Sequence, residues 1–186
     1  MGDPKKRRKK YKTPKFPWRT DVLQSELKIM GEYGLRNKRE LWRFKTMLSK
    51  FRRTARMLLG MSGRERTIRE SQLLSKLKKY KILPEDATLD DVLDLRVEDI
   101  LERRLQTLVF RKGLARTIYQ ARQLITHGHI AIGERRVFSP SYLVLGEEED
   151  LINYAPTSPL SNPQHPLRLS LEVSEGQGGR EISEQQ

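Results

Sequence analysis

The residues with the clearest chemical potential are basic side chains grouped around one short segment. Arg111 and Lys112 precede a glycine, and Arg116 and Arg122 follow in a stretch with helical spacing. A helix start leaves backbone N–H groups free, and these groups favour phosphate. Arginine suits the same ligand, because its planar guanidinium grips phosphate and also stacks on exposed bases. The pattern indicates an RNA-binding surface. Its expected border comprises His127, His129, Arg135 and Arg136.

A plainer explanation exists for any one of these arginines. Each could be a solvated surface charge or an intramolecular partner of the acidic residues at 82–102. That explanation is weaker for the group as a whole, since residues 103–137 carry eight basic side chains against the single acidic residue Glu134.

Catalytic and metal chemistry have little support in the sequence. The carboxylates of residues 82–102 fall mainly in first helical turns, where they complement the helix dipole, so we interpret them as structural. Cysteine is absent, and the three histidines lack carboxylates at ligand spacing. Residues 128–133 lack the Lys-Ser/Thr of a phosphate-binding loop. We therefore expect no enzymatic activity, no cofactor and no metal.

Charge is distributed unevenly along the 186 residues. The formal net charge of +13 is typical of proteins that bind nucleic acid, an anionic membrane or an acidic partner. No apolar run approaches the roughly 18 residues that a transmembrane helix needs. Residues 1–20, 36–56 and 103–137 are strongly basic, whereas residues 82–102 carry eight acidic side chains against Arg96. The lack of cysteine fits a reducing compartment.

The elements that must position these side chains begin with an N-terminal arm. Residues 1–20 are poor in apolar side chains and interrupted by three prolines, so we expect an extended conformation. Residues 21–33 then form a predicted helix, whose apolar spacing places Leu23, Leu27 and Met30 on one face.

The second predicted helix has the clearest pattern in the chain. Asn37 with Glu40 three residues on is a capping-box start, and Gly60 supplies the stop. Apolar residues recur at alternating intervals of three and four, which predicts a buried stripe. The stripe comprises Leu41, Phe44, Leu48, Phe51, Ala55 and Leu58. The opposite, cationic side comprises Arg39, Arg43, Lys50 and Arg53.

Capping signals continue along the chain. Ser62 and Glu65 predict the start of a third helix, Thr88 and Asp91 that of a short acidic helix, and another short helix follows from about Val97.

After residue 102 the periodicity changes. Two short helices are predicted to end near Gly113 and Gly128, and alternation of apolar residues then predicts strands. The expected strands are residues 130–132, 137–138, 142–144 and 151–154. The fold class is therefore α+β, with a mostly helical N-terminal domain and a small α+β module.

Four segments follow from these patterns. They are a basic extended arm (1–20), a helical RNA-binding domain (21–102), an α+β RNA-binding module (103–154) and an acidic tail rich in Pro and Gly (155–186), which we expect to be loosely attached.

Particular stretches of the module carry a family resemblance. They are Arg104-Leu105-Gln106, Arg111-Lys112-Gly113-Leu114-Ala115-Arg116-Thr117, Ala121-Arg122-Gln123-Leu124-Ile125, His129-Ile130 and Ser139-Pro140-Ser141-Tyr142. Together they closely resemble the S4 RNA-binding domain, although Gln106 stands where many such domains have Asp. Upstream, Tyr33 to Arg43 resembles the N-terminal half of the small-subunit ribosomal protein S4 family in its archaeal and eukaryotic form. The two resemblances cover roughly residues 11–155.

The resemblance implies a structural constituent of the small ribosomal subunit, located in the cytoplasm. Such a protein would bind small-subunit (16S-type) ribosomal RNA in its 5′ domain and help to initiate subunit assembly. It would also lie beside neighbouring small-subunit proteins and messenger RNA, on the side where messenger RNA enters. Neither a membrane nor a small-molecule substrate is implied. The expected RNA-binding residues are Lys5, Lys6, Arg7, Arg8, Lys9, Lys10, Arg36, Arg39, Arg43, Lys50, Arg53, Arg104, Arg111, Lys112, Arg116, Thr117, Arg122, His129, Arg135 and Arg136.

Two alternatives remain open from the sequence. An RNA-modifying enzyme, synthetase or accessory factor can carry an S4 module, but it would need a further catalytic domain. A basic DNA- or chromatin-binding protein would need only the arm and the cationic helix. The run Lys5–Lys10 also matches a nuclear-import signal, although we favour an arm that orders on RNA.

Overall fold

The computed structural model describes residues 9–169, which fall into two compact units. The first unit contains residues up to Lys78 together with Ile82–Leu101, and the second contains Lys79–Lys81 and the residues from Glu102 onward. The expected contacts Lys5, Lys6, Arg7 and Arg8 lie outside the described residues, as does the end of the tail. Within residues 9–169, no helix is long and apolar enough to cross a membrane.

The first unit, as far as it is described, is helical. Its helices are α1 (Thr20–Glu32), α2 (Lys38–Leu59), α3 (Arg64–Lys79), α4 (Leu89–Asp94) and α5 (Val97–Glu102), of which the last residues of α3 and α5 belong to the second unit.

Helix α2 forms as its sequence predicts. The Asn37 side chain accepts a hydrogen bond from the Glu40 N–H at 3.2 Å, and Gly60 follows the last residue. The predicted stripe faces the core of this unit, where α2 packs against α1 and α4. Its buried members are Leu41, Phe44, Leu48, Ala55 and Leu58, while Phe51 is half-buried.

The apolar face predicted for α1 is not the buried side of the helix. Leu23 and Leu27 are exposed, Met30 is half-buried, and Glu26 is the buried residue of the helix. The carboxylate can be buried because Trp42 and Lys45, both on α2, donate hydrogen bonds to it.

Helix α3 starts later than the capping pattern predicts, with Gly63 directly before its first residue. The later capping box is confirmed, since the Asp91 carboxylate accepts hydrogen bonds from both the backbone N–H and the hydroxyl of Thr88.

The second unit combines two helices with a small sheet. Helices α6 (Leu105–Arg111) and α7 (Ile118–Thr126) pack on each other, and the strands are β1 (Ile130–Ile132), β2 (Arg135–Arg136) and β3 (Ile152–Tyr154). The sheet is antiparallel in the order β2-β1-β3, which confirms the α+β class.

Two predicted strands need correction. The second strand lies at Arg135–Arg136 and not at residues 137–138. Residues 142–144 are not a strand of the sheet; they pair instead with the start of α6, where Leu143 forms an isolated antiparallel bridge with Arg104. The carbonyl of Tyr142 accepts from the Leu105 N–H at 2.8 Å, and the Val144 N–H donates to the Arg103 carbonyl at 3.0 Å.

The chain beyond Tyr154 begins as part of the core and not as a loose tail. The Ala155 N–H donates to the His129 carbonyl at 2.8 Å, and a short 3-10 turn follows at Pro159–Ser161. Leu160 in that turn joins the buried cluster of this unit.

The second unit also includes a separate piece of chain, Lys79–Lys81. The Gly146 N–H donates to the Lys79 carbonyl at 2.7 Å, and a Cβ at Gly146 would come within 2.9 Å of Lys81 Cγ. Glycine at this position therefore allows the two stretches to lie close together.

Candidate RNA-binding surface

The start of α7 is held by reciprocal hydrogen bonds. The Thr117 hydroxyl accepts from the Gln120 N–H at 3.1 Å, and the Gln120 side chain accepts from the Arg116 N–H at 2.7 Å. This arrangement fixes the backbone around Arg116, whose side chain is exposed. Thr117 therefore acts as the cap of α7, and Arg116 presents its guanidinium to solvent.

Arg122 is anchored within the second unit. Its Nη1 lies 3.4 Å from Oε1 of Gln106, and the Gln106 amide donates to the Ile118 carbonyl at 3.0 Å. Gln106 is fully buried, whereas Arg122 is half-buried. The glutamine thus links α6 to α7 and limits the positions that the Arg122 guanidinium can adopt.

Arg104 does not belong to the surface. It is 0% exposed, and its Nε donates to the Pro140 carbonyl at 3.0 Å. A fully buried guanidinium cannot reach RNA at the surface, so we withdraw Arg104 from the expected contacts. Its position ties the segment around Pro140 to the start of α6.

Two further basic residues have intramolecular partners but stay exposed. Arg111 forms an ion pair with Glu102 at 2.8 Å, and the ammonium of Lys112 donates to the backbone carbonyl of Glu149. The alternative of intramolecular pairing with the acidic segment therefore holds for Arg111.

The Glu149 carboxylate forms ion pairs with two basic side chains of the second unit. Arg103 and Lys81 lie 3.0 and 3.5 Å from its Oε2. Burial raises the pKa of the Glu149 carboxyl, but the hydrogen bond and the charge of Arg103, with a smaller contribution from Lys81, outweigh burial and lower it. These basic residues stabilise the fold, and Arg103 is itself buried.

The remaining expected contacts of this unit divide by exposure. Arg135 and Arg136 are exposed on β2, an edge strand of the sheet. His129 is half-buried, and its Nδ1 lies 2.8 Å from the Ser158 hydroxyl, so it contributes less surface than the sequence suggests. Within residues 9–169, no group of three or more His, Cys, Asp or Glu side chains is placed to hold a metal ion.

The first unit has its own cationic side chains along α2 and just before its first residue. The side chains expected there are all exposed. They are Arg36, Arg39, Arg43, Lys50 and Arg53. Because the apolar stripe of the same helix is buried, the helix presents cations to solvent and leucines to the core.

Part of the N-terminal arm lies against α2. The Tyr11 ring lies 6.0 Å from the Trp42 ring between centroids, and the Lys12 N–H donates to the Thr46 hydroxyl at 3.0 Å. Lys9 and Lys10, just before this contact, are exposed. The arm therefore brings further positive charge to the helix that carries the α2 cations.

The sequence reasoning missed three exposed aromatic residues of the second unit. Phe110, Tyr119 and Phe138 are 38%, 59% and 58% exposed. An exposed aromatic ring beside cations is a common platform for unpaired bases. The available signal was their position within three residues of a predicted RNA-binding arginine, which the search for charge alone did not use.

Comparison with known proteins adds independent information. A family model described as the S4 domain matches residues 103–150. The chain is 59% identical to small ribosomal subunit protein uS4 of Hyperthermus butylicus over 159 residues, which cover 86% of this chain and 90% of the relative. It is also 59% identical to the uS4 protein of Sulfurisphaera tokodaii, covering 89% and 93% of the two chains. The uS4 protein of Ignicoccus hospitalis is 57% identical, covering 86% and 96%.

Proposed function

This chain belongs to the family of small ribosomal subunit protein uS4, and from that membership we propose that it is a structural component of the small ribosomal subunit that binds ribosomal RNA. The observation that carries the proposal is that these relatives are 59% identical to the chain over most of its length. Exposed cations on both units support it, because phosphate neutralisation supplies most of the affinity of such proteins for RNA. Its place of action is the cytoplasm, within the subunit.

The proposal includes a more specific RNA target. We propose binding to the 5′ domain of the small-subunit RNA, early in assembly. Two cationic surfaces in one chain support this target, because they can neutralise phosphates of more than one RNA helix. Specificity would then come from the three-dimensional shape of a helical junction, since side chains read A-form RNA helices mainly by shape.

A position on the side where messenger RNA enters is also part of the proposal. There the chain would contact neighbouring small-subunit proteins and lie close to messenger RNA. The exposed apolar residues of α1, Leu23 and Leu27, support a protein contact, because they occupy a helix side that the described residues of this unit leave exposed.

An RNA-modifying enzyme is a weaker candidate. Such an enzyme would need a catalytic domain with a sheet of its own, whereas the sheet within the described residues has three short strands and belongs to the S4 unit. We therefore propose no enzymatic activity.

The proposal is tested by comparing RNA targets over a range of salt concentrations. The purified full-length chain should bind folded 5′-domain RNA saturably, and this binding should survive moderate salt better than binding to random duplex DNA of equal length. A chemical footprint on the complete small-subunit RNA should then show protection concentrated in the 5′ domain. Equal affinity for the DNA, or protection spread evenly over the RNA, would contradict the proposal.

A further inference from the structure

A groove of about 500 Å³ lies beside the edge strand β2 in the second unit. Arg135 and Arg136 line it together with Phe138, Tyr142 and Glu148. Its size falls in the range of pockets that hold small ligands. It therefore joins two cations, two aromatic residues and one carboxylate in a space that can hold a nucleotide.

The Phe138 ring packs against Gly128. The glycine follows α7 with a φ of +76°, and a Cβ on it would lie 2.4 Å from Phe138 Cε1. The ring thus rests directly against the glycine backbone, while 58% of the residue remains exposed. An aromatic ring that packs against backbone on one side and is open to solvent on the other offers a surface on which a base can stack.

The polar groups of the groove are also fixed. The Tyr142 hydroxyl donates to the Glu148 carboxylate, at 2.9 and 3.0 Å from its two oxygens, and the Leu145 N–H donates to the same carboxylate at 3.0 Å. These bonds occupy the carboxylate, and neither Arg135 nor Arg136 forms an ion pair within the described residues. Both guanidinium groups are therefore available to an anionic ligand.

We propose that this groove binds one unpaired nucleotide of RNA, with its base stacked on Phe138 and its flanking phosphates neutralised by Arg135 and Arg136. The proposal deepens the RNA-binding function proposed above and rests on it. An unpaired base is required, because a base inside a duplex is stacked on both sides and offers no free face. Arginines alone would serve a duplex backbone equally well, so the exposed ring is the feature that selects a single strand.

The test uses the full-length chain and a five-nucleotide single-stranded RNA that carries 2-aminopurine at its centre. Stacking on Phe138 should quench the fluorescence of this base on binding. Phe138→Leu keeps an apolar side chain but removes the aromatic face, so quenching should disappear and affinity should fall about five-fold or more. Phe138→Trp should restore both signals. The matched control is Leu151→Ala, which also shortens an exposed apolar residue of this unit and should change neither signal.

Arginine variants separate the two parts of the site. Arg135→Ala with Arg136→Ala should weaken binding and lower its salt dependence, while bound RNA at saturation stays quenched. A duplex in which the same probe base is paired should bind without the fluorescence quenching that depends on Phe138.

The outcomes distinguish this proposal from the function that it rests on. Equal quenching and affinity for Phe138→Leu and the unsubstituted chain would overturn the groove proposal, even if selective binding to 5′-domain RNA persisted. Loss of that selectivity in the unsubstituted chain would instead overturn the proposed function. If the RNA oligonucleotide fails to bind while an extended peptide binds in the groove, the site is a protein contact and the nucleotide proposal is wrong.

Discussion

The two units of this chain bury side chains of opposite charge. In the first unit the buried charge is the Glu26 carboxylate, 2% exposed, with the ammonium groups of Lys45 and Lys38 at 2.8 and 3.4 Å. In the second unit the buried charges are the guanidinium groups of Arg103 and Arg104, at 8% and 0% exposure.

This difference shows that the net positive charge serves more than RNA. Lysines around Glu26 and arginines around Pro140 and Glu149 hold the fold together. A basic residue in such a protein is therefore assigned to the RNA surface only when its exposure supports that assignment.

The largest effect should come from Arg104→Ala. The substitution leaves a cavity in the second unit and removes the hydrogen bond to the Pro140 carbonyl, so unfolding should become easier by about 3 kcal/mol or more. Urea denaturation gives this value, and hydrogen exchange of residues 103–155 should localise the loss to the second unit.

A suitable control is Arg135→Ala, because this arginine is exposed and should change stability by less than about 0.5 kcal/mol. If both arginine variants had the same small effect, Arg104 would not be the structural residue described here.

The next largest effect should come from Glu26→Gln in the first unit. The amide keeps an acceptor for Trp42 but loses the charge facing two lysines, at a cost of about 2 kcal/mol. Tryptophan fluorescence can follow unfolding of this unit, because the Trp42 indole donates directly to Glu26.

The pH dependence of that effect has a defined sign. Burial raises the pKa of Glu26, but the hydrogen bonds from Lys45 and Trp42 outweigh burial and lower the pKa below the usual 4.5. Such a carboxyl stabilises the fold fully above its unfolded pKa, and the contribution is lost as pH falls through the folded pKa. The difference between Glu26→Gln and the unsubstituted chain should shrink as the pH falls below about 4.5. A difference that stays constant down to acid pH would refute the ionised state of Glu26.

A moderate effect on RNA binding should come from Arg116→Ala combined with Arg122→Ala. If both guanidinium groups neutralise phosphates, affinity falls and the slope of log affinity against log salt decreases by about two. The matched control replaces Arg64 and Arg96, two exposed arginines outside the expected RNA-binding set. An unchanged slope would remove Arg116 and Arg122 from the interface.

The smallest effect should come from Arg111→Ala. Its ion pair with Glu102 is exposed to solvent, so stability should change by less than about 1 kcal/mol. The salt slope should fall by less than about one, because Glu102 already neutralises part of the charge. Glu102→Gln should act in the opposite direction and raise RNA affinity slightly. A full unit of slope lost in Arg111→Ala would show that RNA displaces Glu102.

Local patterns in the sequence predicted much of this fold. Asn37, Gly60 and the Thr88–Asp91 pair act through bonds within a few residues, so their positions could be read directly. The buried side of α1 could not be read in this way, because Glu26 is buried by partners 16 and 19 residues away.

The candidate site shows the same limit. Arg116, Arg135 and Arg136 are exposed, as the clustering of basic residues in the sequence predicted. The burial of Arg104 did not follow from that clustering, because it depends on Pro140, 36 residues further along the chain. Phe138 became a candidate only when the structure placed its ring against Gly128.

The inclusion of Lys79–Lys81 in the second unit has a consequence for how this unit can be produced. A fragment beginning at residue 103, where the S4 match starts, would lack the Lys79 carbonyl that Gly146 bonds and the Lys81 ammonium beside Glu149. During synthesis from the N-terminus, Lys79–Lys81 leave the exit tunnel before the rest of the second unit, so they can pack only after that unit has been synthesised. The second unit is thus a discontinuous folding unit, and a fragment meant to reproduce it must include Lys79–Lys81 as well as the residues from Glu102 onward.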